Sequence, residues 1–415
     1  MRAAVLTGIA CLMTAAQAAA QAPTPAPTPT PAVPPTAPVE TLMEMTGQAP
    51  DLGSATGRPF SMTGSRFWLG ADYTLFWYTP MNCQPLIRTY PAFEAVGGAD
   101  PTTVLTQFPT KSQIHYDGVS GIRVNAGYNF DKFGVDFSGF LLQTRTMHTD
   151  QYDDGNTLVI SRPYISAGQG PGSTADLFMS LPGQYGGGVT AAVNSRLWGL
   201  EFNARRAWYV MLSDSTSLIA GFRYLDLQEG INISGNVLIP NGTTGSINDS
   251  IRTHNSFYGG QIGFNTRIGG DAPGFGASFT TKSAIGGVNQ RVELVGSNTI
   301  TPFGGLPDTQ SGGLYVQPSN QGTYSRGKFA FLQDIDLRLT YNFTSWFQVS
   351  LGYSLIYMSS FVRPGDQIDP VVNDQNLRYL NPADRTPSTL PNPTFVWRAH
   401  SFVVQGITFG AQFQY

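Results

Sequence analysis

Charge is what this chain has least of. Asp, Glu, Lys and Arg together make 12% of its 415 residues, about half the share of an ordinary soluble protein. The 24 basic and 27 acidic residues leave a net charge of −3, so there is no field of one sign to draw nucleic acid or an acidic substrate. Cysteine is rarer still, with two in all. No HExxH spacing and no strand–glycine–helix phosphate motif occurs; pieces such as Gly183-Gln184-Tyr185-Gly186-Gly187-Gly188 read as loops. Nowhere do about 18 apolar residues run together, so no membrane-crossing helix is expected.

What is present points to β-structure at an apolar boundary. Aromatics make 12% of the chain and glycine 47 residues. Low charge with many aromatics and glycines suits a barrel whose wall faces lipid.

The N-terminus reads as an export signal. Arg2 is the positive start, Ala3 to Ala16 the apolar stretch, and small residues offer cleavage after Ala18 or Ala22. Cys11 has no Leu three residues before it, as a lipoprotein cysteine would. Removal of the signal leaves Cys83 alone, so neither an internal disulfide nor a cysteine metal site can form. Pro23 to Pro38 is proline-rich and favours polyproline II, which packs no core. The expected organisation is a signal at 1–22, a periplasmic spacer at 23–63 and a barrel at 64–415.

Side chains alternate faces along a strand, so a membrane barrel shows segments of about ten residues with alternating polarity. The last segment does so clearly. Ile407, Phe409, Ala411, Phe413 and Tyr415 fall on one face, with Gly406, Thr408, Gly410, Gln412 and Gln414 on the other. Phe409, Phe413 and the terminal Tyr415 resemble the signal that outer-membrane assembly machinery reads. Alternation predicts ten strands, over 66–78, 118–130, 133–145, 196–212, 216–228, 255–268, 274–288, 329–343, 346–360 and 401–415. Twelve is the next choice, should a loop hide a hairpin. Connections run long, short, long, short. The long ones are 79–117, 146–195, 229–254, 289–328 and 361–400, and the short ones sit near 131–132, 213–215, 269–271 and 344–345. Bacterial barrels place short turns in the periplasm and long loops outside. The fold expected is therefore an antiparallel up-and-down β-barrel, in the outer membrane of a bacterium with a double-membrane envelope.

Predicted inward faces carry Asp72, Arg123, Asp136, Glu201, Arg205, Arg223, Arg267, Lys282, Asp334, Asp336 and Arg338. A ten-stranded bore lies near the filled end of the range, and unpaired charges there are costly, so pairing is expected. Mixed signs argue against a strong ion filter, which needs a ring of one charge. His115, His148, His254 and His400 fall near predicted outer strand ends, with Asp117, Asp150, Asp153 and Asp249 close in sequence. A His–Asp pair could activate water; ordinary polar rim residues are the plainer reading.

Several segments resemble the beta-barrel porin-7 family. They include FWLGADYTLFWYTP (67–80), Gly134-Val135-Asp136-Phe137, LWGLEFNARR (197–206), FRYLDLQEG (222–230) and a long stretch at 312–369. RPGDQID (363–369) and the closing VQGITFGAQFQY (404–415) look like family signatures. The resemblance covers about 64–415 and implies an outer-membrane barrel. It brings no catalytic or binding residues with it. In RPGDQID, Pro364-Gly365 reads as a turn, and Asp366 and Asp369 as acceptors for nearby amides. A calcium site from Asp366, Asp369 and Asp374 is the lesser alternative.

The function expected is porin-like passage of small polar solutes through a narrow charged lumen. A non-conducting structural or surface-recognition barrel is the alternative, and an omptin-like hydrolase is the third. No enzyme activity, cofactor, metal or nucleic acid is expected. The expected partners are outer-membrane lipids and the assembly machinery.

Overall fold

The computed structural model describes residues 67–91, 104–130, 132–168, 172–208, 215–270, 272–377 and 390–415. The expected signal and spacer lie outside the described residues, as do residues 131, 209–214 and 271 of three short turns.

Ten antiparallel strands form a closed ring. They are β1 (Phe67–Tyr78), β2 (Val119–Asn129), β3 (Gly134–Leu142, continued as Arg145–Asp153), β4 (Gly186–Trp208), β5 (Ser215–Leu238), β6 (Thr244–Gly269), β7 (Gly274–Thr301), β8 (Gly322–Asn342), β9 (Phe347–Phe361) and β10 (His400–Gln414). Each pairs with its neighbours in sequence, and β1 pairs with β10 to close the ring. At the seam Phe67 and Tyr415 exchange backbone hydrogen bonds of 3.0 and 2.8 Å. The two pieces of β3 lie end to end along β4, with Leu141 opposite Trp198 and Arg145 opposite Ser195. That spacing leaves one extra residue at 143–144, a β-bulge. A short segment, Asp308–Ser311, adds to the outer end of β7.

The ring is staggered. From Tyr73 the pairing runs through Ile122, Leu141, Trp198, Asp226, Ser256 and Asn289 to Gly327. The other way it runs through Phe409 and Leu351 to Leu339. Gly327 and Leu339 lie 12 residues apart on β8, a shear that goes with strands tilted by roughly 40°.

The first strand shows why this sequence makes a wall. Phe67, Leu69, Tyr73 and Trp77 point outward and are exposed, while Asp72, Thr74, Phe76 and Tyr78 point inward and are buried. Outward apolar side chains continue round the ring at Ile122, Phe137, Phe202, Phe222, Ile262, Leu339, Leu351 and Phe409. From Phe67 to Trp77 the belt covers roughly 33 Å of strand at about 3.3 Å per residue. At the tilt above that is roughly 25 Å along the barrel axis, the height of a transmembrane barrel's apolar band.

Four strands run well beyond this belt, which corrects several expected boundaries. β5 reaches Leu238 and not 228; β6 begins at Thr244 and not 255; β7 reaches Thr301 and not 288; β4 begins at Gly186 and not 196. The long loop expected at 229–254 is therefore mostly strand. The cause is an inversion of polarity. On β5 the apolar residues point outward through Leu218 and Phe222. From Leu225 onward, through Leu227, Ile231, Ile233 and Val237, they point inward and are buried. Below the switch the wall faces an apolar medium; above it, water outside and a packed interior.

Candidate functional site: a charged lumen beneath an apolar plug

The lower half of the interior is polar. A cavity of about 400 Å³ reaches the turn end of the barrel, where Asn129, Ser215, Gln348 and Gln414 line it. Its wall includes Asp72, Arg123, Asp136, Glu201, Arg205, Arg267, Lys282, Asp334, Asp336 and Arg338. Arg223 lies beside it, buried, ion-paired to Asp334 and, at 3.1 Å, to Glu201.

Among the described residues all of these charges except Arg267 make ion pairs, most of them between different strands. Arg338 holds Asp72 at 2.8 Å and Asp336 at 2.7 Å, and Arg123 reaches Asp336 from β2 at 3.2 Å. Lys282 holds Glu201 at 2.6 Å and lies 3.6 Å from Asp334. Arg205 pairs with Asp136 at 2.9 Å and covers the Trp68 ring. Three charges of β8 take part, because Asp334, Asp336 and Arg338 alternate with outward Ile335, Leu337 and Leu339. Such pairing roughly offsets the cost of taking the charges from water. It leaves no continuous wall of one sign.

Above the charges the interior turns apolar on every side. Further up their strands the inward-facing Phe76, Leu197, Leu225, Phe257, Val288, Leu332, Ile356 and Phe402 are all essentially inaccessible and belong to one apolar cluster. They meet as a septum across the bore. The fit is close: at Gly286 a Cβ would collide with the Tyr258 carbonyl, and Gly259 opposite lies against the Phe257 ring.

Loops complete the plug. Segments Ile87–Pro91, Thr106–Phe108, Leu158–Ser166, Thr174–Ser180 and Val371–Val372 come from three different connections and form one small sheet. A fourth connection inserts Leu314, Tyr315 and Val316, all buried. Two ion pairs pin these loops to the wall. Arg162 donates to Asp249 of β6 at 2.5 Å, both side chains fully buried. The same carboxylate accepts the amides of Leu314, Tyr315 and Val316 at 3.2, 3.0 and 2.8 Å. Arg363 holds both oxygens of Glu229 on β5, at 2.8 and 2.7 Å, and donates to the Thr79 carbonyl. Asn255 of β6 exchanges hydrogen bonds with the backbone of Val362 at 2.8 and 2.9 Å.

RPGDQID thus folds into the mouth. Pro364–Gln367 is a single 3-10 turn, and Gly365 lies so close to Asn82 and Cys83 that no side chain fits. Arg363 was not among the residues singled out by sequence. Its one signal was its place before Pro-Gly in the family signature.

The histidines are dispersed. His148 pairs with Asp150 at 2.8 Å, His254 with Asp226 at 2.6 Å and His400 with Asp366 at 3.2 Å; His115 is exposed in the first connection. His254 lies within β6 and not at a strand end. Asp369 accepts the amides of Val371 and Thr394, Asp374 accepts the Ser166 hydroxyl, and Asp117 pairs with Arg145 at 2.8 Å. Among the described residues no three His, Cys, Asp or Glu side chains gather as metal ligands do. Phe409, Phe413 and Tyr415 point outward at the turn end of the wall.

Asp153 closes the outer tip of β3. It accepts the amides of Gly155, Asn156, Thr157 and Leu158 and the hydroxyls of Thr157 and Ser180. Burial alone would push this carboxyl up; the hydrogen bonds outweigh it and hold the group below the usual Asp value. A depressed carboxyl contributes stability that is present above the unfolded value of about 3.9 and lost as pH falls through the folded one. Protection of the amides at 155–158, taken relative to their intrinsic exchange rates, should therefore be full at neutral pH and fall only in acid. Asp153→Ala should lose about 1–3 kcal/mol of local protection at neutral pH; unchanged protection there would contradict this anchoring.

The geometry defines a class: a closed ten-stranded β-barrel of the membrane type, with an apolar outer belt. The family follows from sequence. A model described as Putative beta barrel porin-7 matches residues 68–415, and the chain belongs to that family. No curated protein matches it. Among solved structures it is similar to the outer membrane protease OmpT from Escherichia coli. Identity there is 10% and the TM-score 0.38, with 87% of this chain and 100% of that chain covered. The CymD monoaromatic hydrocarbon channel aligns at 8% identity and TM-score 0.18, covering 85% and 89%. A Pseudomonas aeruginosa FadL homologue aligns at 6% identity and TM-score 0.21, covering 85% and 90%. Likeness at this level carries neither protease nor channel activity to the chain.

Proposed function

We propose that this protein is an outer-membrane barrel, closed to passive diffusion in the state seen here, whose capped outer end serves surface recognition in a non-enzymatic role. The septum carries the reading. Eight strands each contribute a buried apolar side chain to one cluster across the bore, and loop residues pack against it. A hydrophobic constriction blocks ions by excluding water, and this one is filled by side chains. The short turns face the periplasm, so the charged cavity is a periplasmic vestibule. Phe409, Phe413 and Tyr415 supply the strand that the assembly machinery engages.

Purified protein in planar bilayers tests this. The expected result is insertion, seen as heat-modifiable migration in mild detergent, without step-like conductance. Steady open-channel steps from the unaltered protein would overturn it. The charged vestibule favours a second reading, a gated porin whose plug must move before solute passes.

A further inference from the structure

The outer wall above the apolar belt carries arginine cations that make no ion pair among the described residues. Arg196 of β4, Gln228 of β5, His254 of β6 and Arg291 of β7 are successive cross-strand partners and form one row on the outer face. Arg252 lies on the same face, two residues further out along β6. All three arginines are exposed. Among the described residues none has an ion-pairing partner, although Glu293 lies opposite Arg252 in the ladder. Of the other nearby acids, Asp226 is engaged by His254, Ser256, Gln228 and the Tyr224 hydroxyl, and Glu229 by Arg363.

The patch is concave, and its place in the wall is specific. Arg196, Arg252, His254 and Arg291 line a hollow of about 530 Å³ together with Asn194, Gln228 and two carboxylates, Glu229 and Glu293, so its cations outnumber its acids. Immediately below it, the Trp198 and Tyr224 rings pack with centroids 5.2 Å apart and planes tilted by 49°, and Tyr224 pairs with Tyr258 across the ladder. Aromatic rings of this kind mark the boundary between hydrocarbon and headgroups in transmembrane barrels. At about 4.8 Å between strands, Arg196 and Arg291 stand roughly 15 Å apart, the width of a headgroup with more than one charge. Guanidinium groups bind phosphate oxygens in pairs.

We infer that this hollow is a binding site for the phosphate-bearing headgroup of an outer-leaflet lipid. The acyl chains would lie on Leu200, Tyr224 and Tyr258 below it, and the phosphates between Arg196, Arg252 and Arg291. The inference rests on the membrane placement proposed above, which puts this row at the headgroup level. It concerns the outer wall only and is independent of whether the lumen conducts.

The test uses the full protein in nanodiscs of phosphatidylcholine doped with phosphatidylglycerol. Lipid retained on the barrel is read by native mass spectrometry. Each arginine near an anionic surface contributes about fivefold, so R196Q/R252Q/R291Q should retain phosphatidylglycerol on the order of a hundredfold less well. R196K/R252K/R291K should keep part of the preference, and Arg145→Gln, whose arginine already pairs with Asp117, should change nothing. Equal retention by the unaltered protein and the triple Gln variant would overturn the site. Inorganic phosphate at matched concentration is the second arm. If it displaces the lipid completely, the hollow is a site for free anions and the lipid assignment is wrong; resistance to it supports the lipid. A protein that never inserts into nanodiscs would overturn the membrane placement as well, an outcome distinct from an inserted barrel without lipid preference.

Discussion

Replacing Arg162 by Met should loosen the outer plug by about 3–5 kcal/mol, the usual cost of removing one partner from a buried ion pair. Arg162 and Asp249 are both fully buried, so the carboxylate left behind has no water to turn to. It keeps the three amides of Leu314, Tyr315 and Val316, but these carry no net charge. The Tyr315 ring, which lies under the guanidinium and whose hydroxyl donates to the Pro163 carbonyl at 2.7 Å, loses its cover as well. Amide exchange over Leu158–Ser166 and 314–316 should quicken by two orders of magnitude or more, while the apolar belt stays protected. Asp249→Asn in the same chain removes the stranded charge and keeps an acceptor, so the double variant should recover part of the loss. A single Arg162→Met chain as protected as the unaltered one would show that the pair does not hold the plug.

Arg363→Ala should have the second large effect, and it bears on whether the lumen can open. Arg363 ties the turn at Pro364–Gln367 to Glu229 and to the Thr79 carbonyl, and it lies over Phe402 of the septum. Its removal strands Glu229, again at about 3–5 kcal/mol. Cys83 reports the result. It is buried against this turn, and burial, with Asp366 nearby, pushes its thiol well up. The unaltered protein should resist thiol reagents, and Arg363→Ala should label at Cys83 at least a hundredfold faster. In bilayers the variant should remain without step-like conductance, because the septum side chains are carried by the strands. Fast labelling with intermittent conductance would mean that the strand-borne septum does not seal the bore without the loops. No change in labelling would refute the anchoring role of Arg363.

The parts of this fold that could be read from sequence are those with a single rule. Where lipid lies outside and polar groups inside, as along Phe67–Trp77 and Ile407–Tyr415, alternation marks both strand and face. The ten strands and their short turns follow from it. Above the belt a second rule replaces the first. On β5 and β6, Asn232, Ser250 and Arg252 face outward while Ile231, Ile233, Ile247 and Ile251 face inward. Alternation persists there with opposite phase, and a search for outward apolar residues reads such a stretch as a loop rich in Asn, Ser and Gly. The phase jump at Tyr224-Leu225 and Phe257-Tyr258 was the available signal. The partners of the lumen charges had no comparable trace. Arg123 and Asp336 are 213 residues apart, and only ring closure brings them together. Asp249 looked like a rim acid beside His254, and its real partner, Arg162, sits in a loop strand 87 residues away.

The two phases along β4 to β7 also restrict how these strands can pair. A slip of one residue exchanges the faces of a strand along its whole length. In an ordinary sheet that is punished once, by exposing one apolar face. Here it would turn lumen charges such as Glu201 and Arg223 toward hydrocarbon at one end and Ile231, Ile233 and Val292 toward water at the other. No shifted alignment can satisfy both environments, so the native stagger is selected twice over, and competing hairpins have nowhere favourable to settle.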